Sequence, residues 1–302
     1  MYLTGFEIGS LECVTLGGST YCMYGLLSGT NLATLLDDIE HFRPSMPVLS
    51  KFFLSVNQTV VNFHDLERVT PGIIEGELFD YQLCFDEKVK DYDKTRCLVV
   101  CIFAACIFNH YNLALKLCMV LRPLSKFISF FYMGPCFLLY DGLVSLIEAS
   151  LQEDEEEQEA LIEHAKKNIA ELRDISNNAP MNYLNKLYLL EAELAVVEED
   201  ESKAILSYKN AITLSEEHGF VHEQAMICER AAMYYIQRGF ALEAEKLLLQ
   251  SFDCFKKWGA MAKLKSMIMK FPTIFNDKKN PYETGFINME VGNQSMASVS
   301  TI

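Results

Sequence analysis

Apolar residues recur at helical spacing along most of the chain, and this pattern predicts an all-α protein. The segment Asn31–Phe42 is a clear example, because its apolar side chains at Leu32, Leu35, Leu36 and Ile39 fall on one helical face. The segment Glu159–Ser176 repeats the pattern with Leu161, Ala165, Ile169 and Leu172. Thr95–Asn109 is instead apolar nearly all round. We therefore predict amphipathic helices, with a central, buried helix at Thr95–Asn109.

Further helices are expected on both sides of these segments. Val56–Phe63 taken alone would also fit a strand, but its helical neighbours favour a helix. A loop is predicted at Asp65–Gly76, which contains Pro71-Gly72, and a helix rich in charged residues is predicted from there to about Val89. The remaining predicted helices are Ser10–Ser28 with an interruption at Gly17-Gly18, Met46–Phe63, Tyr111–Leu121, Ser125–Met133, Gly134–Leu151 and Ala260–Phe271.

Two segments that begin forty residues apart, Leu187–Gly219 and Ile227–Gly259, share an alanine at two aligned positions and a glycine at their ends, and further aligned positions match in character. Repetition at a fixed period of this length is typical of helical-repeat proteins. We predict one helical hairpin in each copy: Asn182–Glu198 with Ser202–Glu217, and Val221–Arg238 with Ala241–Lys257.

Small residues in both copies predict where the two helices of a hairpin cross closely. Ala192 lies twelve positions before Ala204, and Tyr208 and Ala211 lie four and seven positions after it. The residues at the same offsets from Ala244 are Ala232, Leu248 and Ser251. Offsets of four and seven lie on one helical stripe. The structural repeat positions are Ala192, Ala204, Tyr208, Ala211, Gly219, Ala232, Ala244, Leu248, Ser251, Trp258 and Gly259.

This packing resembles that of tetratricopeptide repeats, although the period is forty residues and not thirty-four. The offsets recur more faintly upstream, at Ala114, Cys118 and Leu121. We therefore predict an α-solenoid of irregular tetratricopeptide-like hairpins.

The predicted parts of the chain are irregular N-terminal hairpins in 1–151, tetratricopeptide-like repeats in 152–271, and a disordered tail in 272–302. The first residues open without a capping residue, so we expect the chain to be part of a longer one.

Composition narrows the classes of partner. The formal net charge of −15 and the lack of any run rich in Lys and Arg argue against nucleic-acid binding. The ten cysteines lie mostly in apolar runs and form no CxxC pair, which indicates core residues in a reducing, cytoplasmic compartment. Phe127–Ile147 is long enough for a membrane span, but it contains Gly134-Pro135 and Asp141, so we expect no span.

The segment 179–263 carries a combination of motifs that no general packing rule requires. They are Ala179-Pro180 with Asn182, Leu190-Glu191-Ala192-Glu193, the stripe Ala204…Tyr208…Ala211-Ile212, Gly219-Phe220, Glu223, Ala225, Glu229, Ala232, Ala244, and Trp258-Gly259-Ala260 with Lys263. The segment resembles the helical region that follows the AAA-type ATPase module in large multidomain sensor histidine kinases and serine/threonine kinases. Tyr24…Ser28-Gly29…Leu32 and Gly134-Pro135 resemble the same region more loosely. The resemblance implies a non-catalytic helical array between an ATPase module and later domains.

No catalytic or cofactor-binding residue is predicted. Leu16–Thr20 reads LGGST, but no GK[ST] follows it, so it is not a phosphate-binding loop. We therefore predict a protein that is not an enzyme, needs no cofactor, and binds protein segments or neighbouring signalling domains. The alternative is a regulatory, ATPase-associated domain that itself binds nucleotide.

Three further features have both a functional and a structural interpretation. His218 and His222 have the spacing of a helical metal pair, but Gly219 lies between them, so we favour a helix end and predict no metal site. Glu191 and Glu193 could serve acid–base chemistry, but they point to different helix faces, which favours hydrogen bonds or salt bridges within the hairpins. Trp258, the one tryptophan, is expected to pack the last hairpin and not to stack on a ligand.

Overall fold

The computed structural model describes residues 2–45, 50–66 and 70–275, and its regular elements are helices. Within these residues there are thirteen α-helices: α1 Tyr2–Glu7, α2 Leu11–Ser28, α3 Leu32–Phe42, α4 Lys51–His64, α5 Asp91–Ile107, α6 Tyr111–Leu121, α7 Met133–Ala149, α8 Glu155–Asn178, α9 Pro180–Val197, α10 Glu201–Glu217, α11 Val221–Gln237, α12 Ala241–Trp258 and α13 Met261–Lys270. The predicted all-α class is confirmed. The first residues of the predicted helix Met46–Phe63 and most of the predicted tail, from Asn276 to Ile302, lie outside the described residues.

Successive helices pack against each other along the chain. The two predicted hairpins are present as α9 with α10 and α11 with α12, and α7 packs on α8 in the same way. The first hairpin ends at Gly219 and the second at Gly259, which have φ angles of 76° and 90°. Glycine adopts this left-handed conformation without the steric cost that a Cβ atom adds. The sequence repeat therefore reflects a repeat of helical hairpins.

The small residues of the repeat lie inside these hairpins. The side chains of Ala192, Ala204, Tyr208, Ala211, Ala232, Ala244, Leu248, Ser251 and Trp258 are all buried. Ser251 lies at a contact between the helices of the second hairpin, where its hydroxyl donates to the Ala225 carbonyl at 2.7 Å.

Replacing Ala204 by Trp should destabilise the protein by about 1–3 kcal/mol, because a large ring would have to displace packed neighbours. Ala204 is 0 % exposed in the first hairpin. The matched control is Leu206→Trp on the same helix, because Leu206 is 58 % exposed and a larger side chain there meets solvent. Urea unfolding followed by circular dichroism compares the two. Equal stability of the variants would contradict the predicted crossing.

The predicted interruption of the first long helix at Gly17-Gly18 is wrong. Helix α2 runs without a break from Leu11 to Ser28, and Gly18 is buried inside it. Glycine inside a helix costs only about 1 kcal/mol relative to alanine, which is less than the packing of one buried face supplies. Tertiary packing thus overrides the local preference of the glycine pair.

The predicted charged helix that ends near Val89 is also wrong. The described residues between α4 and α5 form turns and one 3₁₀ turn, Tyr81–Phe85. Side chains of α4 bind this segment: Gln58 Oε1 accepts from the Leu78 N–H at 3.0 Å, and Asn62 Nδ2 donates to the Ile73 carbonyl at 3.2 Å. These bonds satisfy backbone groups that a helix would otherwise pair internally.

The predicted helix Ser125–Met133 is replaced by a tight turn. The structure has a 3₁₀ turn at Arg122–Phe127, and helix α7 then begins at Met133. Gly134 lies close to this turn, since a Cβ atom there would come within 2.9 Å of the Ile128 carbonyl oxygen. The close approach needs a glycine, and it folds the turn back over the start of α7.

The last hairpin and α13 are joined to the first helices by hydrogen bonds. Trp258 Nε1 donates to the Thr30 carbonyl at 3.0 Å, and Asn31 Nδ2 donates to the Lys257 carbonyl at 2.9 Å. Helix α13 packs on α4, where Lys265 Nζ donates to the Leu66 carbonyl at 2.6 Å. One hydrophobic core extends from Cys22 in α2 to Phe275. The N-terminal hairpins and the repeats therefore share a core.

Candidate binding site

The structure separates His218 from His222. His218 caps the C-terminal end of α10, whereas His222 lies in the first turn of α11 and is 0 % exposed. The two residues therefore do not form a pair on one helix, in agreement with the helix-end interpretation of His218. Among the described residues, no group of three or more His, Cys, Asp or Glu side chains could hold a metal ion.

Burial of His222 gives stability a specific dependence on pH. Desolvation lowers the pKa of His222 from its ordinary 6.5 to about 4. Between these values the unfolded chain binds a proton that the folded protein excludes, so stability is lost as pH falls, by about 3 kcal/mol for this group. We expect His222→Leu to reduce the loss of stability between pH 7 and pH 4. Urea unfolding across that range measures it, and an unchanged slope would contradict the prediction.

Glu191 and Glu193 form separate ion pairs, and only Glu193 also has a partner within its own hairpin, Tyr208. The ion pairs themselves connect α9 to α8 and to α11, and so lie between hairpins and not within the predicted one. Glu191 accepts from Arg173 of α8 at 2.7 Å. Glu193 accepts from Tyr208 Oη at 2.9 Å and from two nitrogens of Arg230 at 2.8 and 2.7 Å. The second set is buried and connects α9, α10 and α11. Their role in this structure is to join helices.

Trp258 is fully buried in an aromatic cluster. Its ring centroid lies 5.7 Å from that of Phe63, 6.1 Å from that of Phe103 and 5.3 Å from that of His222. The side chain therefore packs the last hairpin, as predicted, and it packs on α4 and α5 as well.

The LGGST segment lies in the middle of α2, where the backbone is helical. Its N–H groups consequently bond within the helix and do not form an open loop around a phosphate. This agrees with the sequence-based exclusion of a phosphate-binding loop.

The cleft with the most organised polar centre lies between the turn after α6, helix α7 and helix α8. We call it the Asp141 cleft. Its volume is about 540 Å³, within the range of ordinary ligand sites. It is lined by Arg122, Ser125, Lys126, Ile128, Ser129, Gly134, Pro135, Phe137, Leu138, Asp141, His164, Lys167, Asn168, Glu171, Asp174 and Ile175.

Asp141 is the polar centre of this cleft. Its Oδ1 accepts from Arg122 Nη2 at 2.8 Å, and its Oδ2 lies 2.6 Å from His164 Nε2 and 3.1 Å from Asn168 Nδ2. Burial alone would raise the pKa of this carboxyl, but the hydrogen bonds from His164 and Arg122 outweigh it and lower the pKa. Asp141 therefore carries a full negative charge at neutral pH, balanced by its neighbours.

The walls of the Asp141 cleft are mixed in character. Leu138 and Ile175 are half-buried apolar side chains on facing helices, and Lys126 and Lys167 contribute positive charge beside Glu171 and Asp174. The adjoining turn exposes an aromatic ring, since Phe130 is 94 % exposed.

The His–Asp pair in the cleft joins two helices. Across the described ranges, the hydrogen-bond partner of His164 on α8 is Asp141 on α7. The contact therefore braces α7 against α8.

Sequence reasoning missed this cleft. In the sequence Asp141 is only a polar interruption of an apolar segment, and its partners Arg122 and His164 lie 19 and 23 residues away. The signal was present, because a single carboxylate in a buried helix needs partners. Which residues supply them depends on the packing of three helices.

Comparison with protein-family models, with curated proteins and with solved structures finds no match to this chain.

The described residues contain no helix that is both long enough and apolar enough to cross a membrane. The segment Phe127–Ile147 is divided between the turn that follows α6 and the greater part of α7.

Proposed function

We propose that this chain is a non-catalytic helical-repeat module that binds a protein segment in the Asp141 cleft. The observation that carries the proposal is the combination of a braced polar centre and partly apolar walls in one cleft, with an exposed phenylalanine, Phe130, on the adjoining turn. An apolar side chain of a bound segment would pack between Leu138 and Ile175. Its backbone would meet the polar groups around Asp141, which are already held in position.

The charges of the cleft favour a peptide over a nucleotide. Lys126 and Lys167 are offset by Glu171 and Asp174, so the lining has no surplus of positive charge to bind a triphosphate. A peptide with both acidic and basic side chains could form ion pairs with both signs of charge in the cleft. The same balance speaks against the alternative of a nucleotide-binding regulatory domain.

The resemblance of 179–263 to the helical region of large signalling kinases supports a particular kind of partner. In that family the region lies between an ATPase module and later domains. We propose that the bound segment belongs to a neighbouring domain or an associated signalling protein in the cytoplasm. The ten cysteines support this compartment, because all are free and most are buried.

A peptide selection tests the proposal. A phage library of random peptides is selected on the purified chain, and the affinities of the enriched peptides are measured by titration calorimetry. Leu138→Glu should weaken binding at least about tenfold, because it places an unpaired charge where the apolar side chain packs. The control is Leu206→Glu, a change of the same type on exposed α10.

Two results would contradict the proposal. Peptides that bind wild type and Leu138→Glu equally well would show that the Asp141 cleft is not the site. Binding of ATP with Mg²⁺ to the chain, in the absence of any enriched peptide, would favour the nucleotide-binding alternative.

A further inference from the structure

A second cleft lies between α2 and α5, and none of its lining residues lines the Asp141 cleft. We call it the Arg96 cleft. Its main part has a volume of about 720 Å³, and a smaller adjoining part has about 310 Å³. Leu16, Tyr92 and Arg96 line both parts. Together they have the volume of an ordinary ligand pocket, which is more than enough for an amino acid.

Arg96 is a buried cation without an anionic partner. Its side chain is buried, with 5 % of the residue exposed, and its Nε has no hydrogen-bond partner. Arg122, Arg173 and Arg230 each form an ion pair at 2.8, 2.7 and 2.7 Å. Arg96 forms none with a carboxylate in the described parts of the chain. A buried guanidinium without a carboxylate partner destabilises the folded protein. An anion bound beside Arg96 would supply the missing counter-charge.

Aromatic rings hold Arg96 in place. Its Cζ atom lies 3.6 Å from the ring centroid of Phe52 and 5.2 Å from that of Tyr92. Such cation–π contacts recover part of the cost of burial without using the N–H groups. Burial lowers the pKa of Arg96, and Tyr92 and Asp93 oppose that shift. The guanidinium is thus oriented while part of its hydrogen-bonding capacity stays unused.

Ser19 supplies a second unused polar group in the same cleft. The residue is 2 % exposed, and its hydroxyl has no hydrogen-bond partner. Buried hydroxyls nearly always have a partner, so the unpaired Ser19 hydroxyl is a donor that a ligand in this cleft could use together with Arg96. A carboxylate could accept from both groups.

The other residues of the Arg96 cleft indicate what further groups a ligand would carry. Glu12 and Asp93 contribute negative charge to the same cleft, and Leu11 and Leu16 contribute apolar surface. Carboxylates at this position repel a doubly charged phosphate but attract an ammonium group. The cleft thus combines a site for one anion, a site for one cation and an apolar wall.

We propose that the Arg96 cleft binds a free α-amino acid with an apolar side chain. Its carboxylate would accept from Arg96 and Ser19, its ammonium group would face Glu12 and Asp93, and its side chain would pack against Leu16 and Tyr92. This site is separate from the proposed peptide-binding site, and the two can fail independently.

Titration calorimetry on the whole chain tests the proposal with defined probes. L-leucine, L-methionine and L-phenylalanine are titrated up to millimolar concentration. The controls for phenylalanine are its amide, which lacks the carboxylate, and 3-phenylpropionate, which lacks the ammonium group. Loss of the carboxylate should weaken binding at least about tenfold, as expected for a hydrogen-bonded ion pair. Loss of the ammonium group should weaken binding as well.

Substitutions of the lining residues show whether the amino acid binds in the Arg96 cleft. Arg96→Met should weaken binding at least about tenfold and Ser19→Ala by about threefold to tenfold, in line with charged and neutral hydrogen bonds. Ser19→Ala removes one atom, so it keeps the test open should Arg96→Met fail to fold. Arg173→Met is the control, because Arg173 is exposed and pairs with Glu191 elsewhere.

Several outcomes would overturn the proposal. One is the absence of binding by all three amino acids, and another is equal binding of phenylalanine and its amide. Tighter binding of inorganic phosphate than of any amino acid would identify a simple anion site instead. Unchanged affinity in a folded Ser19→Ala variant would show that the ligand binds elsewhere.

Discussion

Trp258→Ala is expected to lower the free energy of unfolding by about 3–5 kcal/mol, the usual range for a large aromatic side chain in a core. The indole is 0 % exposed and contacts rings from α4, α5 and α11. Its N–H also binds the Thr30 carbonyl, so the truncation leaves a buried acceptor unpaired as well as a cavity. Guanidinium unfolding followed by circular dichroism measures the loss.

The matched control is Phe130→Ala, since Phe130 is 94 % exposed. That truncation should change stability by no more than about 0.5 kcal/mol. Similar values for both variants would show that the last hairpin does not pack on the N-terminal helices.

Glu223→Ala is the second substitution with a large expected effect, about 3–5 kcal/mol of destabilisation. Lys186 Nζ lies 2.8 Å from Glu223 Oε2, and the two side chains are 0 % and 2 % exposed. Removal of the carboxylate leaves the ammonium group buried beside the Phe220 ring without its counter-charge. Chemical unfolding at neutral pH measures the loss.

Two comparisons separate this effect from general damage to the fold. Glu191→Ala removes one partner of the more exposed pair with Arg173, and should cost at most about 1 kcal/mol. The double variant Lys186→Met, Glu223→Leu replaces both buried charges and should recover most of the loss. A double variant no more stable than Glu223→Ala would contradict the account of an uncompensated charge.

The sequence predicts those parts of the fold that depend on local periodicity. The helices α5 and α6 and the two repeat hairpins follow from the spacing of apolar and small residues, and their bounds agree with the prediction to within a few residues. The predicted charged helix before Val89 fails because the Gln58 and Asn62 side chains bind the backbone of that segment. A local pattern contains no information about such partners.

The candidate sites are less predictable for the same reason. The Asp141 cleft brings together Arg122, Asp141 and His164, and the Arg96 cleft brings together Ser19 and Arg96. Each residue taken alone has an ordinary structural interpretation. Only the packing of separate helices shows that Asp141 is fully paired and that Arg96 is not.

Hydrogen–deuterium exchange of the chain with and without an enriched peptide tests the central claim most directly. The account predicts slower exchange at the turn after α6, at the first turns of α7 and along α8, and little change in α10 and α12. Protection confined to the α9–α12 repeats, with no change around Asp141, would contradict it.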